Sequence, residues 1–324
     1  MVSLPFRVLS PGGRWGRLST FIFHRVLAHP DPLLPDEPDA DRFDRIVVLL
    51  ASRFRLMRAT DALAALAAGR LPAAAACITF DDGYADNATV AAPILKRHGA
   101  VATFFVSTGY VGGGRMWNDT VIEAFRRAPA GNLDWSTLGL DRFSIDAPAT
   151  RVAAYSAVLK ALKHREPSER ADLTQEIAQR CGLGPQSDLM MSRAQVQSLH
   201  RAGMEIGGHT VTHPILARLD EAAAADEIGS GRAELASWIG SAPQAFAYPN
   251  GVPGQDFGDR DVGLVRAAGF AGAFTTARGT AGVAVDRFRL PRFTPWDQRI
   301  SRFAARAAMQ LVTDRIAPTA RCHG

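Results

Sequence analysis

Cys77-Ile78-Thr79-Phe80-Asp81-Asp82-Gly83-Tyr84 is an apolar run that stops abruptly at two carboxylates and a glycine. Its first four residues read as a strand, and Gly83 permits a sharp turn directly after it. Adjacent residues leaving a strand point in different directions, so one carboxylate is free to take a metal while its neighbour faces a substrate. Similar short runs bounded by Gly, Pro or Asp lie on both sides: Ser19–Phe23, Ala102–Val106, Met204–Gly207, Ala245–Tyr248, Gly272–Thr275 and Arg287–Leu290. Helical patterns separate them. Asp41–Phe54 sets Phe43, Ile46, Val47 and Leu50 on one face, Asp86–His98 leads to a stop at Gly99, and Ser192–Arg201 starts on a Ser cap. Leu219–Ile239, Asp261–Ala268 and Gln298–Asp314 are helical in pattern too.

Strands alternating with helices imply a parallel sheet. About seven such units without a glycine-rich dinucleotide fingerprint favour an α/β fold of the distorted (β/α)7, TIM-like barrel type. We expect a single domain over 1–324, with a barrel core over about 18–296 and a C-terminal helix over about 298–314. The stretch from 110 to 191 breaks the rhythm and reads as a long insertion after the third strand. His24, Asp81, Asp82, His209, Tyr248 and Arg292 each fall at or just past the C-terminal end of an expected strand. In β/α barrels that rim is where sites are built.

A second motif, His209-Thr210-Val211-Thr212-His213, follows about 130 residues after the first. Pro214 disfavours helical geometry at His213, and Gly207-Gly208 precede the pair, so a strand end running into a tight loop is expected. The Glu of a His-Glu-x-x-His zinc motif is absent. Two imidazoles and a strand-end Asp make an O,N,N set that leaves a coordination position open, the pattern of a catalytic metal site. Zn²⁺ suits it best, and Co²⁺, Fe²⁺, Mn²⁺ or Ni²⁺ also fit these ligands. No Gly-x-Ser-x-Gly elbow appears, which argues against a serine nucleophile.

Thr79–Tyr84 and His209–His213 resemble the first two motifs of the polysaccharide deacetylase family, the NodB-homology or family 4 carbohydrate esterases. Phe246–Gly251 (FAYPNG) is similar to the third-motif region of one branch. The resemblance runs from Leu18 to Trp296 and implies a distorted barrel of about seven strands. It implies Asp82, His209 and His213 as metal ligands, Asp81 as the general base, and the Tyr248 backbone N–H as an oxyanion donor. Phe246-Ala247 stand where many members carry an Arg that orients the base, and Arg292 in Arg289–Phe293 is the expected substitute. The Leu-x-His motif that supplies a general acid in many members is absent. His24 in Phe23–Val26 resembles instead the early motif of the poly-N-acetylglucosamine deacetylase branch, and implies His24 as the acid. Trp117, Asn118 and Asp119, in the insertion, and Tyr248 are candidates for sugar contact. The implied activity is metal-dependent removal of an acetyl group from an N-acetylated sugar of a glycan, glycolipid or precursor. Another amide hydrolase on the same scaffold and a non-catalytic glycan-binding protein are the rivals.

The chain has 324 residues, 47% of them hydrophobic, and a formal net charge of +5. That is ample for a large core. The cationic residues form no dense block and do not alternate with aromatics, so nucleic acid is not an expected partner. Cys77, Cys181 and Cys322 are far apart, which argues against a disulfide framework or a thiolate metal site. The first residues lack the apolar core of a signal peptide, and no stretch is long enough to span a membrane. A cytoplasmic protein acting on an intracellular biosynthetic substrate is the expectation. Arg299, Arg302 and Arg306 lie close to one face of the C-terminal helix, which suits docking to a membrane surface.

Overall fold

A computed structural model describes residues 4–184, 188–294 and 299–316. Trp296, Gln298 and Cys322 lie outside the described residues. Nine strands are described: β1 (Ser19–Phe23), β2 (Arg55–Leu56), β3 (Ala75–Phe80), β4 (Thr103–Val106), β5 (Asn132–Asp134), β6 (Arg142–Ser144), β7 (Glu205–Gly208), β8 (Ala245–Ala247) and β9 (Gly272–Phe274). Seven of them form one parallel sheet in the order β1-β3-β4-β7-β8-β9, with the short β2 paired to the start of β3. Residues 287–293 close the ring. Leu290 bridges Phe274 on one side and Phe293 bridges Phe21 on the other, through Leu290 N–H to Ala273 O (2.9 Å) and Phe293 N–H to Thr20 O (2.7 Å). The expected strand Arg287–Leu290 is thus a pair of bridges and no ladder. Arg289 turns back on Asp286 (2.9 Å), and Pro291 has no N–H to continue the pairing.

The result is the distorted (β/α) barrel expected from the sequence. β1, β3 and β4 are buried along their whole length, as a parallel sheet covered by helices requires. Outside the sheet, the helix Ala40–Arg53 buries Phe43, Ile46, Val47 and Leu50. Phe43 packs on Phe23 and Phe80, which stacks on Phe104 at 4.8 Å. The Ser192 cap is present as a reciprocal box with Gln195. The segment after Asp86 begins with a π-helical stretch, Asn87–Ala91, before the α-helix Ala92–Arg97.

Between β4 and β7 the chain forms the helices Trp117–Arg127, Pro148–Leu162 and Pro167–Arg180 and the antiparallel hairpin β5–β6. These enclose their own core, including Phe125, Trp135, Tyr155, Val158 and Ile177. Two anchors hold this unit over the barrel mouth. Tyr155 donates to Leu33 O (2.6 Å) and Arg126 pairs with Asp31 (2.6 Å), both in the loop after β1. Where the unit ends, Met191 N–H bonds Gly83 O (2.9 Å) beside the Asp81-Asp82 turn. On the other side of the barrel, the helix Ile300–Ile316 buries Phe303, Ala307 and Leu311. Arg306 lies over Phe293 (4.9 Å), whereas Arg302 is exposed. No described helix is long and apolar enough to cross a membrane.

Candidate active site

β3 delivers Asp81 and Asp82 to the rim, and the turn separates them. Gly83 N–H returns to Asp81 O at 3.0 Å, with Asp82 at φ 76° and Gly83 at φ 95°. Asp82 thus sits in a left-handed conformation that a non-glycine residue adopts at some cost. Arg292 grips Asp81 from behind, with Nη1 to Oδ1 and Nη2 to Oδ2 both 2.7 Å. The guanidinium is itself fixed by Nε donating to Thr275 O (2.8 Å), and it is wholly buried. Burial opposes ionisation of Asp81, and the Arg292 charge overcomes it, holding the carboxyl below its usual range.

Asp82 turns the other way, toward two imidazoles. Its Oδ1 is 3.3 Å from His209 Nε2 and 3.3 Å from His213 Nε2. Gly207, in β7, faces the Phe105 ring so closely that a side chain there would clash. His209 Nδ1 meets Ala247 O at 2.7 Å, which leaves Nε2 directed at Asp82. Thr210 and His213 have φ of 64° and 56°. Glu227, on the helix Glu221–Ile239, holds this strained loop. Its carboxylate accepts from Val211 N–H (2.9 Å), Thr212 N–H (2.8 Å) and the Thr212 hydroxyl (2.6 Å).

These three side chains fit a divalent cation. Their ligand atoms lie within 4.8 Å of one another. Asp82 Oδ1 is buried without a hydrogen bond, although its distances to the imidazoles allow electrostatic attraction. A buried carboxylate oxygen in that state is costly unless something positive meets it. Burial resists charge on all three groups. The imidazoles nonetheless hold the Asp82 carboxyl far below its usual range. His213 is pushed down to about 4 by burial, so it offers a neutral nitrogen at neutral pH. Asp82 and Asp81 overcome burial at His209 and raise it.

A cavity of about 760 Å³ opens over this cluster. His24, Asp81, Asp82, Trp117, Asn118, Asp119, His209 and His213 all line it. Arg292 does not line it and stands behind Asp81. Asp119 is buried and accepts from the Tyr84 hydroxyl at 3.0 Å. Burial, with the nearby Asp82 charge, pushes its carboxyl up to about 7. The Trp117 ring lies against the Arg170 guanidinium, 5.0 Å away.

Tyr248 departs from its expected place. Its N–H is committed to Phe274 O (3.1 Å) in the β8–β9 ladder, its hydroxyl donates to Phe288 O (3.0 Å), and its ring stacks on Phe257 at 3.7 Å. Neither its amide nor its ring is available to a substrate, so the structure contradicts the expected oxyanion and sugar contacts of Tyr248. Asn250, two residues on, lines the cavity with φ 59°, and its N–H has no partner among the described residues. The Asn-Gly turn chemistry of Asn250-Gly251 was the available signal. Sequence reasoning also missed Arg25, whose pairing with Asp86 at 2.8 Å braces the loop carrying His24, and Asn87, which donates to His24 O at 2.8 Å.

The family model described as polysaccharide deacetylase matches residues 68–133 and 146–270. No curated protein sequence matches the chain. Among solved structures, the deacetylase PplD of Streptococcus pyogenes, determined in complex with acetate, is 18% identical. It superposes with a TM-score of 0.58 over 86% of this chain and 92% of its own. IcaB of Ammonifex degensii is 19% identical, with a TM-score of 0.58 over 93% and 98%. A de-N-acetylase of Aggregatibacter actinomycetemcomitans is 15% identical, with a TM-score of 0.55 over 88% and 97%. At these identities the likeness is one of fold. With the family model covering more than half of its residues, and its fold shared with these solved deacetylases, this chain belongs to the polysaccharide deacetylase family.

Proposed function

We propose that the protein is a metal-dependent hydrolase that removes an acetyl group from an N-acetylated sugar of a glycan, glycolipid or precursor. One observation carries this reading. Asp82, with a buried oxygen lacking a hydrogen bond, faces two imidazoles, while Asp81 beside it is held ionised by Arg292. Asp82, His209 and His213 hold the cation, with Zn²⁺ the best match to an O,N,N set. When bound, it supplies Lewis-acid polarisation of the amide carbonyl and acidifies water.

The remaining roles belong to side chains and amides of this chain. Asp81 accepts a proton from the attacking water, with Arg292 fixing its orientation. The Asn250 N–H takes the donor role to the carbonyl oxygen, and such donors are worth about 10²–10³ in rate. His24 gives a proton to the departing amine, a poor leaving group unless protonated. Trp117 and Asn118 contact the sugar, and Asp119 with Tyr84 offers a polar partner for a hydroxyl. The acetate complex of PplD and the de-N-acetylase name of another fold relative are consistent with this reaction.

Acetate release from N-acetylglucosamine oligomers by zinc-loaded protein tests the reading. Wild type is expected to release acetate, and Asp81→Asn and His24→Asn to lose at least about 10² of that rate. No release by metal-loaded wild type from any oligomer or lipid-linked N-acetyl sugar sinks it in favour of another amide hydrolase. Undiminished turnover by His24→Asn removes only the acid assignment. We also propose that the exposed Arg299 and Arg302, at the start of the C-terminal helix, give a peripheral contact with an anionic membrane surface. Equal pelleting with neutral and anionic liposomes would remove that idea.

A further inference from the structure

Two cavities meet at Lys163, the residue that follows the helix Pro148–Leu162. The first is the cavity over Asp82, where Lys160 and Lys163 form part of the wall contributed by the insertion. The second, about 140 Å³, lies between the turn joining two insertion helices and the chain just after His213. Lys163, Arg165, Arg170 and Arg218 line it against Glu166 and Glu227.

Several of these charges are already engaged. Glu227 is saturated by the Val211 and Thr212 amides and the Thr212 hydroxyl. Arg165 pairs with Glu169 at 2.5 Å. Arg170 donates to Lys163 O (3.2 Å) and lies 5.0 Å from the ring of Trp117, which lines the first cavity. In the first cavity, Asp81 is matched by Arg292 and Glu123 by Arg126. That leaves Lys160, Lys163 and Arg218 as cations, against Glu166 as one carboxylate, with no side-chain partner among the described residues; they run from the catalytic cavity past His213, with cations in excess. Unpaired cations in concave surfaces that share a wall residue attract an anion, and charge-assisted hydrogen bonds give it a fixed seat.

We propose that the second cavity is a subsite for an anionic substituent, and that the substrate is therefore an acidic glycan with a phosphate or carboxylate next to the N-acetylated unit. This rests on the deacetylase reading above and adds the class of its substrate. Lysine ammonium groups serve either anion as point charges, and the Arg218 fork accepts both.

Calorimetric titration of zinc-loaded Asp81→Asn protein, which binds without turnover, provides the test. The probes are the N-acetylglucosamine dimer, its 6-phosphate, and a disaccharide of N-acetylglucosamine and glucuronate. At low salt at least one charged probe should bind about tenfold or more tightly than the neutral dimer, the scale of one charge-assisted contact. Raising the salt, or adding Lys163→Ala and Arg218→Ala together, should erase that advantage. Both side chains are on the surface or only half-buried, and unchanged melting of the triple variant shows that the fold survives. The stronger of the two charged probes identifies phosphate or carboxylate as the natural group. Equal affinity for all three probes overturns the inference, as does a preference that persists in the triple variant. Acetate release by wild type from the same probes separates the two readings. Salt-sensitive binding without any release keeps the anionic subsite and defeats the deacetylase. Equal release from neutral and charged probes, with equal affinities, does the reverse.

Discussion

Asp81 keeps its charge in a setting where burial alone would neutralise it, and the two hydrogen bonds from Arg292 are the reason. Arg292→Met would strand that carboxylate without a partner, which costs about 3–5 kcal/mol when a buried pair is broken. The pH dependence follows from the direction of the shift. A carboxyl whose folded value is depressed contributes stability above its ordinary range and loses it as pH falls through the folded value. The gap between wild type and Arg292→Met in urea midpoint should therefore be wide at neutral pH and narrow on acidification below the usual carboxylate range. A gap that does not change with pH would mean the pair contributes nothing through ionisation. Arg292→Lys keeps the charge but loses the fork, and should recover only part of the stability. At this scale the sequence was informative where chemistry is local. Two carboxylates at a strand end and two imidazoles beside a Gly-Gly-containing strand are visible as letters. The spare amide at the cavity was not, because Tyr248 and Asn250 differ only in what the neighbouring strand does. Phe274 O takes the Tyr248 N–H, and nothing among the described residues takes that of Asn250.

The loop from His209 to His213 has two non-glycine residues at positive φ, and the helix Glu221–Ile239 keeps it there. Glu227 receives three hydrogen bonds from that loop, and a Cβ on Gly231 would come within 3.0 Å of Thr210 backbone atoms. Glu227→Ala should free the loop without touching a proposed ligand. Lost outer support of this kind lowers metal affinity by about 10–100-fold. A zinc competition titration with a chromophoric chelator measures it, and unchanged affinity would show that the loop holds its shape unaided. The partnership of this helix with the loop was invisible in the sequence, since Glu227 reads as one more exposed carboxylate on an Ala-rich helix. Core strands were legible because each carries its own apolar pattern and turn residues. The two-residue β2 and the hairpin β5–β6 carry no such pattern. Arg287–Leu290 has the composition of a strand, yet Pro291 and the turn at Asp286 reduce it to bridges.

Across the whole molecule, the cluster joins parts of the barrel far apart in the chain. Asp82 leaves β3, His209 and His213 follow β7, and Ala247 of β8 fixes the His209 ring. A cation held there ties these rim segments together in the folded state, and no equivalent cluster exists in an unfolded chain. Binding to the native state alone stabilises by about 2.7 kcal/mol at a free metal concentration one hundred times Kd. Zinc should therefore raise the melting temperature of metal-stripped wild type by several degrees, and a chelator should reverse the rise. Asp82→Ala, which removes the bridging carboxylate, should abolish it. The increment also has a predictable pH dependence. In the metal-free chain Asp82 and Asp81 overcome burial to raise the His209 value, so that imidazole retains a proton above its ordinary range. A metal must displace that proton, and displacement becomes harder as pH falls. His213, depressed to about 4, stays neutral through the same interval and does not compete. The zinc-induced rise should accordingly shrink between about pH 8 and pH 6, well before carboxylates titrate. A rise that is constant over that interval would mean His209 carries no competing proton. A rise that survives in Asp82→Ala would mean the metal sits elsewhere.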